Sequence, residues 1–278
     1  MKTYVLYHAS CLDGSGAAFA AFEHFKNTGA DVTYIPVQYS EPPPEMEPNS
    51  DVYILDFSYP LDVLQALKST SNSLVVLDHH KTAKEALEGF PGATFDMSKS
   101  GAVLAWEYFH KGVEVPSLLR YVQDRDLWSW KLKETKAITT GLFLEKDFRQ
   151  WDILSDSALA LVGNVKIAFD EEVLKSSLKK ATLTTYSGHR CALLNTTELT
   201  SEIGNHLCQE LVIDFAIMYF VHASGDVVFS FRSLQQGGTD VSALAKALGG
   251  GGHKNAAGAR VVKEAGFKLL SSLYSNAV

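Results

Sequence analysis

The sequence predicts an α/β protein of two domains: an N-terminal doubly wound, mainly parallel sheet, then a smaller C-terminal α/β domain. Three observations predict it. Short apolar runs alternate with helical stretches through the first part of the chain. A long helical stretch then interrupts that alternation, and strand signals return from Arg190 onward.

Thr3–Tyr7 is a β-branched and aromatic run, as a buried strand requires, and Gly14–Lys26 follows with Ala and Phe at helical spacing. Val32–Val37 reads as the second strand. Ser40–Ser50 (SEPPPEMEPNS) is an acidic, Pro-rich loop that no central strand tolerates. Asp51–Phe57 is a third strand and Leu61–Lys68 a helix, with Pro60 near its start. Leu74–Leu77 is a fourth strand, and Thr82–Glu88 a helix. From Ser98 the pattern turns helical, with amphipathic stretches at Gly101–His110 and Ser117–Val122 and further helix expected over Asp156–Thr184. The later strands are Arg190–Leu194, Ile213–Val221 and Val227–Arg232. Helices are expected at Thr200–Gln209, Val241–Leu248 and Lys263–Tyr274. The expected division is therefore 1–155, a helical linker over 156–187, and 188–278.

The bulk numbers narrow the function. The chain has 278 residues, 46% of them hydrophobic, enough for two ordinary cores. Lys and Arg total 25 against 32 Asp and Glu, a formal charge of -7. Proteins that wrap long nucleic acid carry a basic balance, so any nucleic-acid substrate should be short. Three cysteines (Cys11, Cys191 and Cys208) include no pair at metal-knuckle spacing, and the odd count suits a reducing compartment. The N-terminus is too briefly apolar for a signal peptide or a span, and no later segment is apolar for long enough. A cytoplasmic protein without membrane contact is the expectation.

Four acidic or histidine clusters fall just past the ends of expected elements. They are His8-Ala-Ser-Cys11-Leu-Asp13-Gly14; Asp56, closing DVYILD; Asp78-His79-His80, closing LVVLD; and Asp124-Arg125-Asp126, closing a helix. A lone Asp after a strand is usually a turn residue or a helix N-cap, and His8 alone reads as a half-buried core histidine. Three adjacent titratable groups at a strand end have little structural purpose, however. In open α/β sheets the carboxyl ends of the strands converge on one crevice. Carboxylates gathered there repel unless a cation intervenes. Mixed Asp and His ligation without a thiolate cage suits Mn²⁺, with Mg²⁺ or Co²⁺ as substitutes. Toward the C-terminus, Gly249–Gly252 precedes His253 and Asn255-Ala-Ala-Gly258. Consecutive glycines let backbone N–H groups approach an anion, and His253 adds a donor. The bland alternative is a flexible loop after a helix cap. The run is not a P-loop, because Asn255 follows Lys254 where Ser or Thr is needed. Arg232, ending a strand, is a second anion contact or simply a solvated cation.

These motifs resemble one family throughout nearly the whole chain. LVVLDHH resembles the signature that names the DHH phosphoesterases; YHASCLDGSGAA and DVYILDFSYP resemble their first and second motifs, and YVQDRDLW the fourth motif of one branch. VVFSFRS and ALGGGGHKNAAGA are similar to the DHHA1 domain that follows in that family. The resemblance implies two Mn²⁺ ions in the N-terminal domain, held by His8, Asp13, Asp56, His79 and Asp124. Asp124 is preferred to Asp126 because it directly ends the helix. Asp56 would bridge the ions and His80 would stand beside the scissile phosphate. Arg232, Gly250, Gly251, Gly252, His253 and Asn255 would hold the substrate. Cys11 departs from the two-Asp form of the first motif that many members carry.

The expected reaction is hydrolysis of short RNA or a linear dinucleotide such as pGpG to mononucleotides. Aromatic residues (Tyr39, Phe57, Tyr59, Trp128, Trp130) are placed either to stack on bases or to pack the core and rim. The alternatives are a phosphomonoesterase or pyrophosphatase acting on polyphosphate or 3′-phosphoadenosine phosphate, and a nucleotide-binding regulator with an impaired metal site, motivated by Cys11. A homodimer is left open by the sequence.

Overall fold

The computed structural model describes residues 2–39 and 41–277. The chain forms two compact units, Met1–Ile167 and Ala168–Val278.

The first unit is built on five parallel strands: β1 (Lys2–His8), β2 (Asp31–Val37), β3 (Asp51–Leu55), β4 (Ser73–Asp78) and β5 (Ala93–Phe95), in the order β2-β1-β3-β4-β5. Alternate residues of each central strand enter different cores, as the two-residue period of a strand demands. Val5, Leu55 and Leu77 join Ala17–Ala21 of α1 (Leu12–Phe25) and Trp106 of α4 (Gly101–Phe109). Tyr4, Leu6, Val52, Ile54 and Val76 instead face Leu64 of α2 (Leu61–Thr70). The sheet is thus covered on both faces, the expected doubly wound arrangement. Truncating Leu64, wholly buried, to Ala would cost about 2–5 kcal/mol. The short helix α3 (Lys81–Ala86) follows β4, and α5 (Ser117–Asp126), α6 (Thr135–Leu142) and a 3₁₀ turn at Phe148–Ile153 complete the layer on the α1 side.

The long helix α7 (Asp156–Lys180) crosses the boundary between the units. It ends earlier than the sequence pattern implies. Thr182–Tyr186 is strand β6, antiparallel to β7 (His189–Asn195). The β-branched run TLTTY favours a strand, and Ser187-Gly188 closes a two-residue hairpin with φ of 51° and 81°. Positive φ at both positions matches a type I′ turn, so the segment 156–187 is not helical throughout.

The second unit adds β8 (Phe215–Val221), β9 (Val227–Arg232), β10 (Gly251–Gly252) and β11 (Ala256–Val261) to β6 and β7 in a six-stranded mixed sheet of order β10-β11-β9-β8-β7-β6, in which, among the described residues, only β7 and β8 run parallel. Helix α8 (Thr200–Glu210) packs Ile203 and Leu207 on one face. Helices α9 (Val241–Ala247) and α10 (Lys263–Ser275) pack on the other. Strand β9 (Val227–Arg232) pairs with β11 (Ala256–Val261), and β11 pairs with the two-residue β10 (Gly251–Gly252). No helix among the described residues is long and apolar enough to cross a membrane.

Candidate metal centre

The order 2-1-3-4-5 has its topological switch point between β1 and β3, where the connections leave toward opposite faces. His8 is the last residue of β1, Asp56 follows the last residue of β3, Asp78 ends β4 and His79 follows it. Sheet topology alone therefore brings three of the four sequence clusters to one edge.

Local structure sets each side chain. Asp56 adopts φ 55°, a left-handed conformation that Asp tolerates better than most residues. Its N–H still donates to Leu77 O at 2.9 Å, so the chain turns sharply off β3 without losing the sheet edge. Asp13, in the first turn of α1, accepts from the backbone N–H groups of Gly101 (2.5 Å) and Ala102 (3.0 Å) at the start of α4. A carboxylate at a helix N-terminus satisfies donors that no helix can pair internally. Gly101 is required there, because a Cβ would lie 2.5 Å from Asp56 Cβ and 2.7 Å from its Oδ1.

Three carboxylates converge on one imidazole nitrogen. His79 Nε2 lies 3.1 Å from Asp56 Oδ1, 3.3 Å from Asp13 Oδ2 and 3.5 Å from Asp126 Oδ2. Asp56 turns its other oxygen toward His8, with Oδ2 3.5 Å from Nδ1. Asp13, Asp56 and His79 are each only 1% exposed. Burial and the charges of Asp56 and Asp126 push the Asp13 carboxyl well above the usual range. Burial opposes a charge on His79, but the carboxylates of Asp56, Asp126 and Asp13 outweigh it and raise that imidazole to about 11. Burial likewise pushes Asp56 up, yet His79 and His8 hold it well below the usual carboxylate range.

Asp126, not Asp124, stands in this cluster. Asp124 is oriented into the loop that follows α5. Its Oδ1 accepts from Lys131 N (2.8 Å), and its Oδ2 from Leu132 N (3.1 Å) and Thr135 Oγ1 (2.6 Å). Its acceptors serve the loop, so the preference for Asp124 drawn from its place in the helix is corrected. Both residues belong to the last turn of α5, and two positions along a helix is about 200° of rotation, so they face different ways.

The donor set fits divalent cations. Both carboxylate oxygens of Asp56, Oδ2 of Asp126 and Nδ1 of His8 are buried without a hydrogen-bond partner; the short contacts of Asp56 to imidazole lack hydrogen-bond geometry. Buried anionic oxygens left in that state cost free energy that a cation recovers. The ligand atoms of Asp13, His79 and Asp126 lie within 4.8 Å of one another, as do those of His8, Cys11 and Asp56.

His80 is held beside these groups by Asp78. The buried Asp78 Oδ1 lies 2.7 Å from His80 Nδ1 and also accepts from His79 N and His80 N, while Ser58 Oγ donates to Oδ2 at 2.9 Å. Burial opposes charge on His80, but Asp78 outweighs it and raises the imidazole above its ordinary value. Since an ionised carboxylate only accepts, Nδ1 carries the proton and the ring orientation is fixed. Sequence reasoning gave Asp78 and Ser58 no role; the signal for Ser58 was only its place after Asp56-Phe57.

Of the aromatic residues, Phe57 and Tyr59 are core, 1% and 4% exposed. Tyr39 sits edge-on to His8 at 5.1 Å and to His80 at 5.9 Å between ring centroids. Trp128 and Trp130 are half-buried, 4.9 Å apart and both at positive φ.

In the second unit, the half-buried Arg232 donates to Ser201 Oγ and to the carbonyls of Phe231 and Ala257. Burial lowers it to about 10, and no carboxylate forms an ion pair with it among the described residues. The glycine run is not an open anion nest. Gly251 and Gly252 pair with Gly258 and Ala257, and His253 N donates to Ala256 O at 2.8 Å. A Cβ at Gly250 would lie 2.0 Å from Gly258 O, and Gly252 has φ 137°. These two positions are glycine so that β10 can lie against β11. Asn255 Nδ2 donates to Ser233 Oγ (2.9 Å) and Leu234 O (2.7 Å). Its amide hydrogens tie the hairpin to the exit of β9, which corrects the expectation that Asn255 holds substrate through them.

Comparison with known proteins bears on this arrangement. Residues 194–277 match the DHHA1 domain. The fold is similar to RecJ of Thermus thermophilus in complex with Mn²⁺, with a TM-score of 0.57 and 14% identity over 99% of this chain and 51% of that one. It is also similar to PggH of Vibrio cholerae, a pGpG-specific phosphodiesterase, with a TM-score of 0.51 and 14% identity over 99% and 98% of the two chains. The chain carries a DHHA1 domain. Its DHHA1 portion includes Arg232 and the hairpin at Gly251–Val261. Among curated proteins, an uncharacterized protein of Acanthamoeba polyphaga mimivirus is 30% identical over 91% of this chain, which spans 66% of that protein's length.

Proposed function

We propose that the protein hydrolyses phosphodiester bonds in short RNA or linear dinucleotides, pGpG among them, with a pair of divalent cations held at the switch point. The observation that carries the reading is the convergence of Asp13, Asp56 and Asp126 on His79 Nε2. His8, Asp13, Asp56, His79 and Asp126 are the residues that would hold the cations, with Asp56 the carboxylate that both would share. Mn²⁺ suits this oxygen and imidazole set, with Mg²⁺ or Co²⁺ as substitutes. When bound, such a pair lowers the pKa of water and neutralises charge developing on phosphate oxygens.

The chain's own groups orient the substrate. His80, its Nδ1 proton held by Asp78, presents Nε2–H as a charge-assisted donor to a phosphate oxygen. Arg232, a half-buried cation that forms no ion pair among the described residues, offers a second anion site in the DHHA1 unit. Gly250, Gly251, Gly252 and His253, in the hairpin next to Arg232 in the same sheet, are the further proposed substrate contacts of that unit.

Two observations support a short substrate. The formal charge of -7 is poor for long polyanions, and PggH, a pGpG-specific phosphodiesterase, is matched over 99% and 98% of the two chains. The test is a substrate panel with Mn²⁺: pGpG, oligonucleotides of increasing length, pyrophosphate and 3′-phosphoadenosine phosphate. Mononucleotide release that is fastest for dinucleotides is expected. Orthophosphate release with dinucleotides intact would overturn the reading in favour of a phosphomonoesterase.

A further inference from the structure

Cys11 occupies a place in the candidate centre that its sequence position alone does not reveal. It is the residue before α1 and its side chain makes no capping hydrogen bond to that helix. One ligand atom from each of His8, Cys11 and Asp56 lies within 4.8 Å of the other two. In that trio the Asp56 oxygens and His8 Nδ1 are buried without hydrogen-bond partners. Asp56 is 1% exposed, so an unsatisfied anionic group faces the thiol. The other two cysteines are far from any such set: Cys191 Sγ, in β7, donates to Thr184 O and Cys208 Sγ, in α8, to Arg232 O.

The two trios differ in chemistry. Asp13, His79 and Asp126 offer two carboxylates and one imidazole, a hard set. His8, Cys11 and Asp56 offer one carboxylate, one imidazole and one sulfur. Sulfur ligands shift preference toward softer borderline ions such as Co²⁺, Zn²⁺ and Fe²⁺, and away from Mg²⁺ and Mn²⁺.

We propose that Cys11 is a thiolate ligand to one of the two cations, so that the centre has one hard position and one sulfur-bearing position of different metal preference. This rests on the two-cation reading above. On binding, the Cys11 thiol gives its proton to solvent and its sulfur lone pair to the cation. No oxidant or further reactant is needed.

The experiment titrates Co²⁺ into the metal-free full-length chain and follows near-ultraviolet absorption, where a sulfur-to-cobalt charge-transfer band reports thiolate ligation. The expected result is a band that saturates with one of two bound equivalents. It should disappear in Cys11→Ser and persist in the double variant Cys191→Ser, Cys208→Ser. In Cys11→Asp, which supplies a hard oxygen instead, the ratio of Co²⁺ to Mn²⁺ affinity should fall at least about tenfold, the lower end of what losing even an outer-shell partner does. Circular dichroism of each variant checks that the fold is retained. Two bound equivalents without the band, or a band unchanged in Cys11→Ser, would overturn the assignment while leaving the two-cation centre intact. Failure to bind Co²⁺ at all would overturn both.

Discussion

Truncating Asp124 and Asp126 in parallel separates a carboxylate that holds a loop from one that faces the cluster. In Asp124→Ala three donors lose their acceptor: the N–H groups of Lys131 and Leu132 and the Thr135 hydroxyl. A hydrogen bond to a charged group is worth about 1.5–3 kcal/mol. Lys131 and Leu132 are exposed while Thr135 is buried, so water recovers part of the loss and about 2–4 kcal/mol remains. For a unit of this size that lowers Tm by roughly 5–15 °C, with the stabilisation by Mn²⁺ largely kept. Asp126→Ala removes a carboxylate whose pKa burial pushes up, so the metal-free Tm should move little. The gain from Mn²⁺, about 2.7 kcal/mol at a hundredfold excess over Kd, should shrink to a few tenths if Kd weakens a hundredfold. Thermal melts with a chelator and with Mn²⁺ read both quantities. Asp126→Ala retaining the full Mn²⁺ gain, or Asp124→Ala losing it with the metal-free Tm unchanged, would refute the assignment.

Elemental analysis after dialysis against Mn²⁺ should find two equivalents in the wild type and none in Asp56→Ala, which removes the proposed bridging group; two in the variant would remove Asp56 from the centre. Gly101→Ala forces a methyl into contact with Asp56 and should cost about 1–3 kcal/mol together with Mn²⁺ affinity; a melt and a Mn²⁺ titration at wild-type values would deny the close approach. Because His79 is raised from 6.5 to about 11 in the fold, its contribution to metal-free stability is complete below pH 6.5 and is lost as pH rises toward 11. Mn²⁺ must displace that proton, so the Mn²⁺-induced rise in Tm should be larger at pH 8.5 than at pH 6; the reverse order in melts would contradict it. Asn255→Ala breaks two hydrogen bonds and should destabilise by about 1–2 kcal/mol, read by denaturant unfolding; an unchanged midpoint with a raised KM would return Asn255 to the substrate.

The first sheet was legible because each of its central strands is a continuous apolar run buried on both faces, as in LVVLD and DVYIL. Strand ends were legible for the same reason, and with them His8, Asp56 and His79. The choice between Asp124 and Asp126 was not, since it turns on which way two residues of one helical turn face, and on backbone donors in a loop whose shape no local pattern gives. Strand β11 (AAGARV) carries too little β propensity to be read, and forms because β9 and β10 pair with its two edges. The glycines at 250 and 252 were read as room for a ligand; they are room for a neighbouring strand.

The left-handed backbone at Asp56 limits what evolution or an experimenter can install there. β-branched and bulky residues pay for that conformation, but Asn tolerates it as well as Asp. Exchanging one oxygen for an amide nitrogen is thus the least disruptive way to take the negative charge away from this turn while keeping its shape.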